Sequence, residues 1–152
     1  MAFPQTRELA PHDPPMLIVD ELVEWAADKL TSRYTVSTDN LFYVPGRGMP
    51  AYVVFEIMAQ SISVHDGMER RQSGHPPQIG FLLGARRFTA QRDWIQLGET
   101  LVTKVDAIIN EGELRAFNCK VTTDAGEDIA QAEIKVFRPD DPQAFLASGE
   151  LT

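Results

Sequence analysis

The sequence is short of everything that a metal centre, a disulfide framework or a phosphate cradle requires. Of its 152 residues one is cysteine, Cys119, and three are histidine, scattered at His12, His65 and His75. A lone thiol forms no internal disulfide, and one cysteine with dispersed histidines does not make the spacing of a zinc site. Cys119 lies in an alternating segment and reads as a small buried apolar residue. No Gly-x-Ser-x-Gly elbow, phosphate-binding glycine loop or dinucleotide fingerprint occurs, so no cofactor is expected. Positive charge is also scarce: 14 Lys and Arg stand against 22 Asp and Glu, a net charge of -8. That balance argues against nucleic acid, whose binding depends on neutralising phosphates. No apolar run reaches the roughly 20 residues of a membrane crossing. The first six residues have neither the basic start nor the apolar stretch of a secretory signal, so cytoplasm is the expected compartment. The length suits a single domain over residues 1–152, able to bury about two thirds of the surface its unfolded chain exposes.

What the chain does have is one greasy stretch, from Met49 to Val64. Pro50 suits a first helical turn, where its missing N–H would have had no partner, and the residues after it are apolar around most of the circumference. The stretch is read as a buried core helix from Pro50 to about Met68. Within it Glu56, Gln60 and Ser63 recur at spacings of four and three and share one stripe. A buried glutamate is costly unless something uses or pairs it. Glu56 is therefore a candidate functional carboxylate, or else the partner of an arginine such as Arg47, Arg86 or Arg87.

Before this helix, residues 10–15 form a proline-punctuated lead-in, and Met16 to Trp25 reads as a helical turn entering a strand. Leu30, Ser32, Tyr34 and Val36 alternate with polar neighbours, as a half-buried strand does. Pro45-Gly46-Arg47-Gly48 is a loop delivering the chain into the helix. After it the helix is expected to fray near His65-Asp66-Gly67, which leaves His65 and His75 facing solvent. Four strands follow, near residues 79–88, 100–109, 113–123 and 128–138, read as an antiparallel meander. In the last, Ala130, Ala132, Ile134 and Val136 share one face. The expected class is α+β, a curved antiparallel sheet wrapped around one long helix, with an exposed edge that favours dimerisation. Arg86, Arg87 and Arg92, with Lys104, form the one basic cluster available to an anionic partner; a merely solvated strand face is the plainer reading.

The run from Met49 to Gln60 resembles the "MPG…E.MAQ" helix of the hot-dog-fold 3-hydroxyacyl-acyl-carrier-protein dehydratases of the FabZ and FabA type. Pro11-His12 with Pro15 to Asp20 is similar to their "PHR.PFLLVD" opening, and Arg87-Phe88 with Gly98-Glu99 is similar to their "ARF…GD". Residues 79–84 and 136–141 look most like the ApeP group associated with aryl polyene biosynthesis. The resemblance implies a hot-dog fold, a dimer that joins two sheets, and a substrate tunnel at the interface between subunits. The implied substrate is a 3-hydroxyacyl thioester on an acyl carrier protein, docked at Arg86, Arg87 and Arg92.

In that family a histidine of "GHFPG" removes the C2 proton, and a helix carboxylate from the other protomer helps the 3-hydroxyl leave as water. The carboxylate position is Glu56, and a carboxyl held among apolar groups has its charged form disfavoured, which suits proton delivery. Gln60, one turn on, is placed to orient it. Ala51 takes the place of the motif glycine, and its backbone N–H at the helix start is a candidate donor to the developing enolate oxygen. The histidine is missing: the segment from Phe42 to Pro50 puts Tyr43 or Phe42 in its place, and neither is a base at neutral pH. His12 matches another family position and reads as a structural hydrogen-bonder. Three readings remain open. One is a dehydratase completed by a histidine from a different hot-dog partner subunit; another is a self-sufficient dehydratase or acyl-thioesterase; the third is a non-catalytic acyl-binding or stabilising subunit.

Overall fold

The computed structural model describes residues 3–11, 15–78, 80–139, 141 and 147. His12, Ile79 and most of the tail after Pro139 lie outside the described residues. After a 3-10 turn at Thr6–Glu8 come β1 (Glu21–Ala26) and β2 (Lys29–Thr35), then a two-residue strand β3 (Met49–Pro50), a 3-10 turn at Ala51–Val53 and the helix α1 (Val54–Gln72). The second half supplies β4 (Phe81–Ala90), β5 (Trp94–Ile95), β6 (Thr100–Glu111), β7 (Leu114–Thr123) and β8 (Asp128–Phe137).

Six strands form one sheet in the order β1-β2-β6-β7-β8-β4, and β3 pairs with β5 in a separate ribbon. Every pairing is antiparallel. The period of two decides which face meets the helix: Leu30, Ser32, Tyr34 and Val36 are buried, as are Ala130, Ala132 and Ile134. Together with Ile57, Met58, Val64 and Met68 of α1 they make a continuous core. At about 25 cal/mol per Å² of apolar area, this layer of helix against sheet is the main stabilising term.

Four expectations are corrected. Pro50 is not in the helix: it is extended (φ -56°, ψ 137°) and pairs with Trp94, so helical geometry begins only at Ala51. Residues 17–20 carry no helical turn, and the strand simply starts at Glu21. The helix does not fray near Gly67 but runs to Gln72. Gly67 is there for contact, because a Cβ on it would lie 1.9 Å from the Leu9 carbonyl oxygen, so the N-terminal segment seats directly on the helix backbone. Finally, only β6, β7 and β8 form a meander. β4 crosses over and pairs with β8, which makes it an edge strand of the sheet, with Leu82 and Leu83 exposed.

Nor is the helix covered on all sides. Tyr52 is 69% exposed, and Phe55, Glu56, Ala59, Ser63 and Asp66 are only half-buried. Their spacing of three and four makes them one stripe, on the side away from the sheet.

Candidate active site

The start of α1 is fixed by the ribbon before it. Met49 pairs with Ile95 and Pro50 with Trp94, and the ladder continues as Ala51 N–H donates to the Asp93 carbonyl at 2.9 Å. The amide expected to be free for an oxyanion is therefore engaged. Among the described residues no acceptor takes the next amide, that of Tyr52. Gly48, at φ +102°, enters the ribbon where a Cβ would fall 2.1 Å from the Ile95 carbonyl oxygen. In the preceding loop Val44 and Gly48 bridge each other, and the Arg47 guanidinium lies over the Trp94 ring, 5.5 Å from its centroid.

In the first turn of α1 stands Glu56, half-buried and, among the described residues, in no ion pair with Arg47, Arg86, Arg87 or any other cation. Its partner is Gln60, whose Nε2 donates to Glu56 Oε1 at 3.1 Å. Gln60 is wholly buried and fully used. Its Nε2 also donates to the Met16 carbonyl at 2.8 Å, while its Oε1 accepts from Ile18 N–H at 2.7 Å. The amide thus clamps the segment before β1 to the helix and orients the carboxylate in the same act. An amide locked at both ends has one orientation to offer, so Glu56 meets a donor, never an acceptor.

Phe42 and Tyr43, which the resemblance sets against the family's histidine, are respectively partly buried against the core and half-buried, and Tyr43 N–H donates to the Asn40 carbonyl. His65 does not replace it. The ring is buried on the sheet side of α1, correcting the solvent-facing assignment, because it falls four and eight residues after Ser61 and Ile57 on the inward stripe. Its Nε2–H donates to the Ala26 carbonyl at 3.1 Å, Nδ1 has no partner among the described residues, and Trp25 and Phe117 enclose it. Burial holds its pKa below the usual histidine value, so the ring is neutral. His75 is exposed beyond the far end of α1. From Glu56 to Gln72 the helix rises roughly 24 Å at about 1.5 Å per residue, too far for joint work.

The arginines separate. Arg86 and Arg87 are exposed on β4, where Arg87 takes a positive φ of 56° at an irregularity in the pairing with β8. Arg92 is held by two carboxylates: its Nη1 donates to both oxygens of Glu99 at 2.7 and 2.8 Å, and Nε and Nη2 donate to Glu127 at 2.9 and 2.7 Å. Its charge is neutralised within the chain. Lys104 is exposed on β6.

A family model described as ApeP-like, ApeP dehydratase, matches residues 4–147. The chain belongs to the ApeP-like dehydratase family. Among curated proteins, this ApeP-like chain is similar to the 3-hydroxyacyl-[acyl-carrier-protein] dehydratase FabZ of Acinetobacter baylyi, 26% identical over 140 residues that cover 90% of this chain and 93% of that one. It is 29% identical to the FabZ of Oceanobacillus iheyensis over 142 residues, covering 88% and 96%. Among solved structures it is similar to the dehydratase heterocomplex ApeI:P from Xenorhabdus doucetiae, with a TM-score of 0.87 at 20% identity over 97% of this chain and 99% of that chain. It is also similar to the PaaI protein of E. coli, with a TM-score of 0.60 at 9% identity over 77% and 81%. At these identities the structural matches show the fold, which is the hot-dog fold.

One feature of the ApeP-like chain had no signal in its sequence. Near the C-terminal half of α1, Asp66 pairs with Arg138, and Glu69 takes a bidentate grip on Arg115 at 2.8 Å through both oxygens. The Arg115 hydrogen bond holds the Glu69 carboxyl below its usual range. Acidic residues three apart on a helix are ordinary surface composition, and their partners come from strands far along the chain. Among the described residues no cluster of three or more metal-ligating side chains occurs, and no helix is long and apolar enough to cross a membrane.

Proposed function

We propose that this chain is the carboxylate-bearing part of a 3-hydroxyacyl-acyl-carrier-protein dehydratase whose base comes from a histidine-bearing hot-dog partner. The observation that carries the reading is Glu56: a carboxylate with no cation beside it among the described residues, aimed by a fully buried Gln60 on the helix stripe the chain's own sheet leaves uncovered. A carboxylate that served only the fold would be expected to have an arginine. Family membership supports the reaction class, the FabZ relatives support the carrier-bound substrate, and the likeness to a dehydratase heterocomplex supports a second subunit.

In this reading the partner's base takes the C2 proton, the electron pair forms the C2–C3 double bond, and the C3–O bond breaks as protonated Glu56 delivers its proton to the departing hydroxyl. Water leaves, and Glu56 is left as the carboxylate. The thioester oxygen, negative in between, is met by the amide of Tyr52 rather than that of Ala51, with Ala51 shaping the approach. Arg86 and Arg87 face the acidic carrier; Arg92 contributes by holding its loop.

The test is Glu56→Gln, which keeps volume and hydrogen bonding but removes proton delivery. Dehydration of 3-hydroxyacyl-carrier protein by the assembled enzyme should fall by about 100- to 10,000-fold with the thermal midpoint little changed. Retained turnover would remove Glu56 from the chemistry. The chain alone should be nearly inactive and gain activity with the partner; robust turnover by the pure homo-oligomer would remove the partner.

A further inference from the structure

The ribbon that sets the start of α1 is a sheet of its own, with two residues from each strand. So short a pair has little stability by itself and takes its position from what it is tied to. Backbone ties flank it: Gln91 N–H donates to the Ile129 carbonyl at 2.8 Å before β5, and Gly98 N–H donates to the Val36 carbonyl at 2.9 Å after it. Between them stands a side-chain tie. Arg92, next in sequence to Asp93 and Trp94, reaches Glu99 at the entry to β6 and Glu127 in the turn between β7 and β8. All three guanidinium nitrogens donate, which fixes the plane of the fork as well as its distance. Both partners are themselves anchored: Glu99 Oε1 also accepts from Gln96 N–H at 2.8 Å, and Glu127 N–H donates to Thr123 Oγ1 at 3.1 Å. From Arg92 the path to the site is short. The Asp93 carbonyl takes the Ala51 amide, Trp94 pairs with Pro50, and Glu56 follows in the first turn of α1.

We infer that Arg92 is a positioning residue for dehydration: its grip on Glu99 and Glu127 sets, through Asp93 and the β3–β5 ribbon, where the Tyr52 amide and the Glu56 carboxyl stand. This rests on the roles proposed for those two groups. The ion pairs of a quarter-exposed guanidinium contribute modestly to stability, because solvent screens them. Their effect on geometry is larger. An amide stabilises an oxyanion only when it stands about 3 Å from where the charge develops, and a misplacement on the order of 1 Å costs about 100-fold in rate. Without Arg92, Glu99 and Glu127 are left as two like charges, and the loop from Gln91 to Gly98 keeps only the backbone bonds at its ends and within its ribbon. The ribbon then holds the helix start less firmly. With two carboxylates already on it, the same guanidinium has little left to offer an acidic carrier.

The experiment compares Arg92→Ala and Arg92→Lys with wild type in the assembled enzyme, measuring kcat and KM for dehydration of 3-hydroxyacyl-carrier protein and hydrogen exchange at the Ala51 amide. Arg92→Ala should lower kcat about tenfold or more with KM within about twofold. Ala51 exchange should rise about tenfold or more, while the Ile18 amide, held by Gln60, keeps its protection. Lysine restores the charge without the fork, so Arg92→Lys should fall between alanine and wild type. If Arg92→Ala does not fold, Glu127→Ala carries the test: the Glu127 side chain is 58% exposed, and its loss frees one arm of the fork. Its kcat should fall about threefold or more, with the same rise in Ala51 exchange. Both effects are required. Unchanged kcat or unchanged Ala51 exchange in a folded variant overturns the positioning role, and a rise in KM alone makes Arg92 a carrier contact instead. Glu56→Gln tests the proposed function separately: if that variant keeps turnover the acid is refuted, while joint loss of kcat and Ala51 protection in Arg92→Ala still stands.

Discussion

Replacing Gln60 by leucine tests the clamp on which the site is built. The amide makes three hydrogen bonds, and leucine of similar volume makes none. Ile18 is buried, so its N–H is left without an acceptor and without water, at a cost of about 1–3 kcal/mol. Met16 is 45% exposed, so solvent reaches its segment and its carbonyl adds little to the cost. The added apolar area returns part of the loss, on the order of 1 kcal/mol. The net destabilisation is therefore up to about 2 kcal/mol, which in a domain of this size lowers the thermal midpoint by up to roughly 8 °C. Scanning calorimetry reads the midpoint, and hydrogen exchange at the Ile18 amide reads the cause: its protection should fall selectively. Activity should fall further than stability, since Glu56 loses the donor that aims it. If Ile18 protection and the midpoint are both unchanged, the clamp does not exist and Gln60 has no claim on Glu56.

His65 gives the fold a pH dependence. Its folded pKa lies below the unfolded value of about 6.5, because burial outweighs the Ala26 hydrogen bond and the nearby Glu69. Its stabilisation is thus complete above about pH 6.5 and is lost as pH falls through the folded value. Urea midpoints at pH 8 and pH 5 should differ in the wild type and differ less in His65→Phe; equal slopes would refute the buried neutral ring. Arg92→Ala should cost about 1–2 kcal/mol, less in high salt, because it frees two carboxylates from a guanidinium only a quarter exposed. Reversing Arg86 and Arg87 should leave urea stability within about 0.5 kcal/mol yet weaken carrier binding at low salt; unchanged affinity would make them a solvated face.

The sequence was most legible where one residue's neighbours settle its place. Alternation from Leu30 to Val36 and from Ala130 to Val136 named the buried face correctly, since a period of two permits only two choices. Gln60 was legible as a polar group on an apolar helix. What could not be read depends on partners distant in the chain. Gly67 carries the signature of a helix end, and only Leu9 reveals it as a packing contact. The Ala51 amide looks free until Asp93 arrives through the β3–β5 ribbon. Arg92 looks like part of a basic patch until Glu99 and Glu127 close on it. β4 looks like the first strand of a meander because hairpin reasoning assumes that neighbours in sequence are neighbours in space.

In the proposed function the absent histidine and the uncovered half of the helix are two sides of one arrangement. A sheet of six strands covers the inward stripe of α1, where Ile57, Ser61, His65 and Met68 are buried, and stops. In the proposed function the outward stripe, with Tyr52, Glu56, Ala59 and Ser63, meets a second surface, and the outer edge of β4, the last strand of the sheet, offers a place to attach one. A small cleft beside Ile62 and Ser63 is also lined by Gly80 and Val136, so the approach to β4 and the end of β8 meet the helix where that stripe passes. In the proposed function a subunit added to this edge lies against the stripe. In the proposed function that contact is also what brings a base to the substrate. Loss of a histidine from one chain is then tolerable as long as the surface facing Glu56 belongs to a subunit that kept its own. Assembly becomes the step that makes the enzyme. On this reading the interface accepts a histidine-bearing hot-dog subunit, and a second copy of this chain in the same position would leave Glu56 without a base.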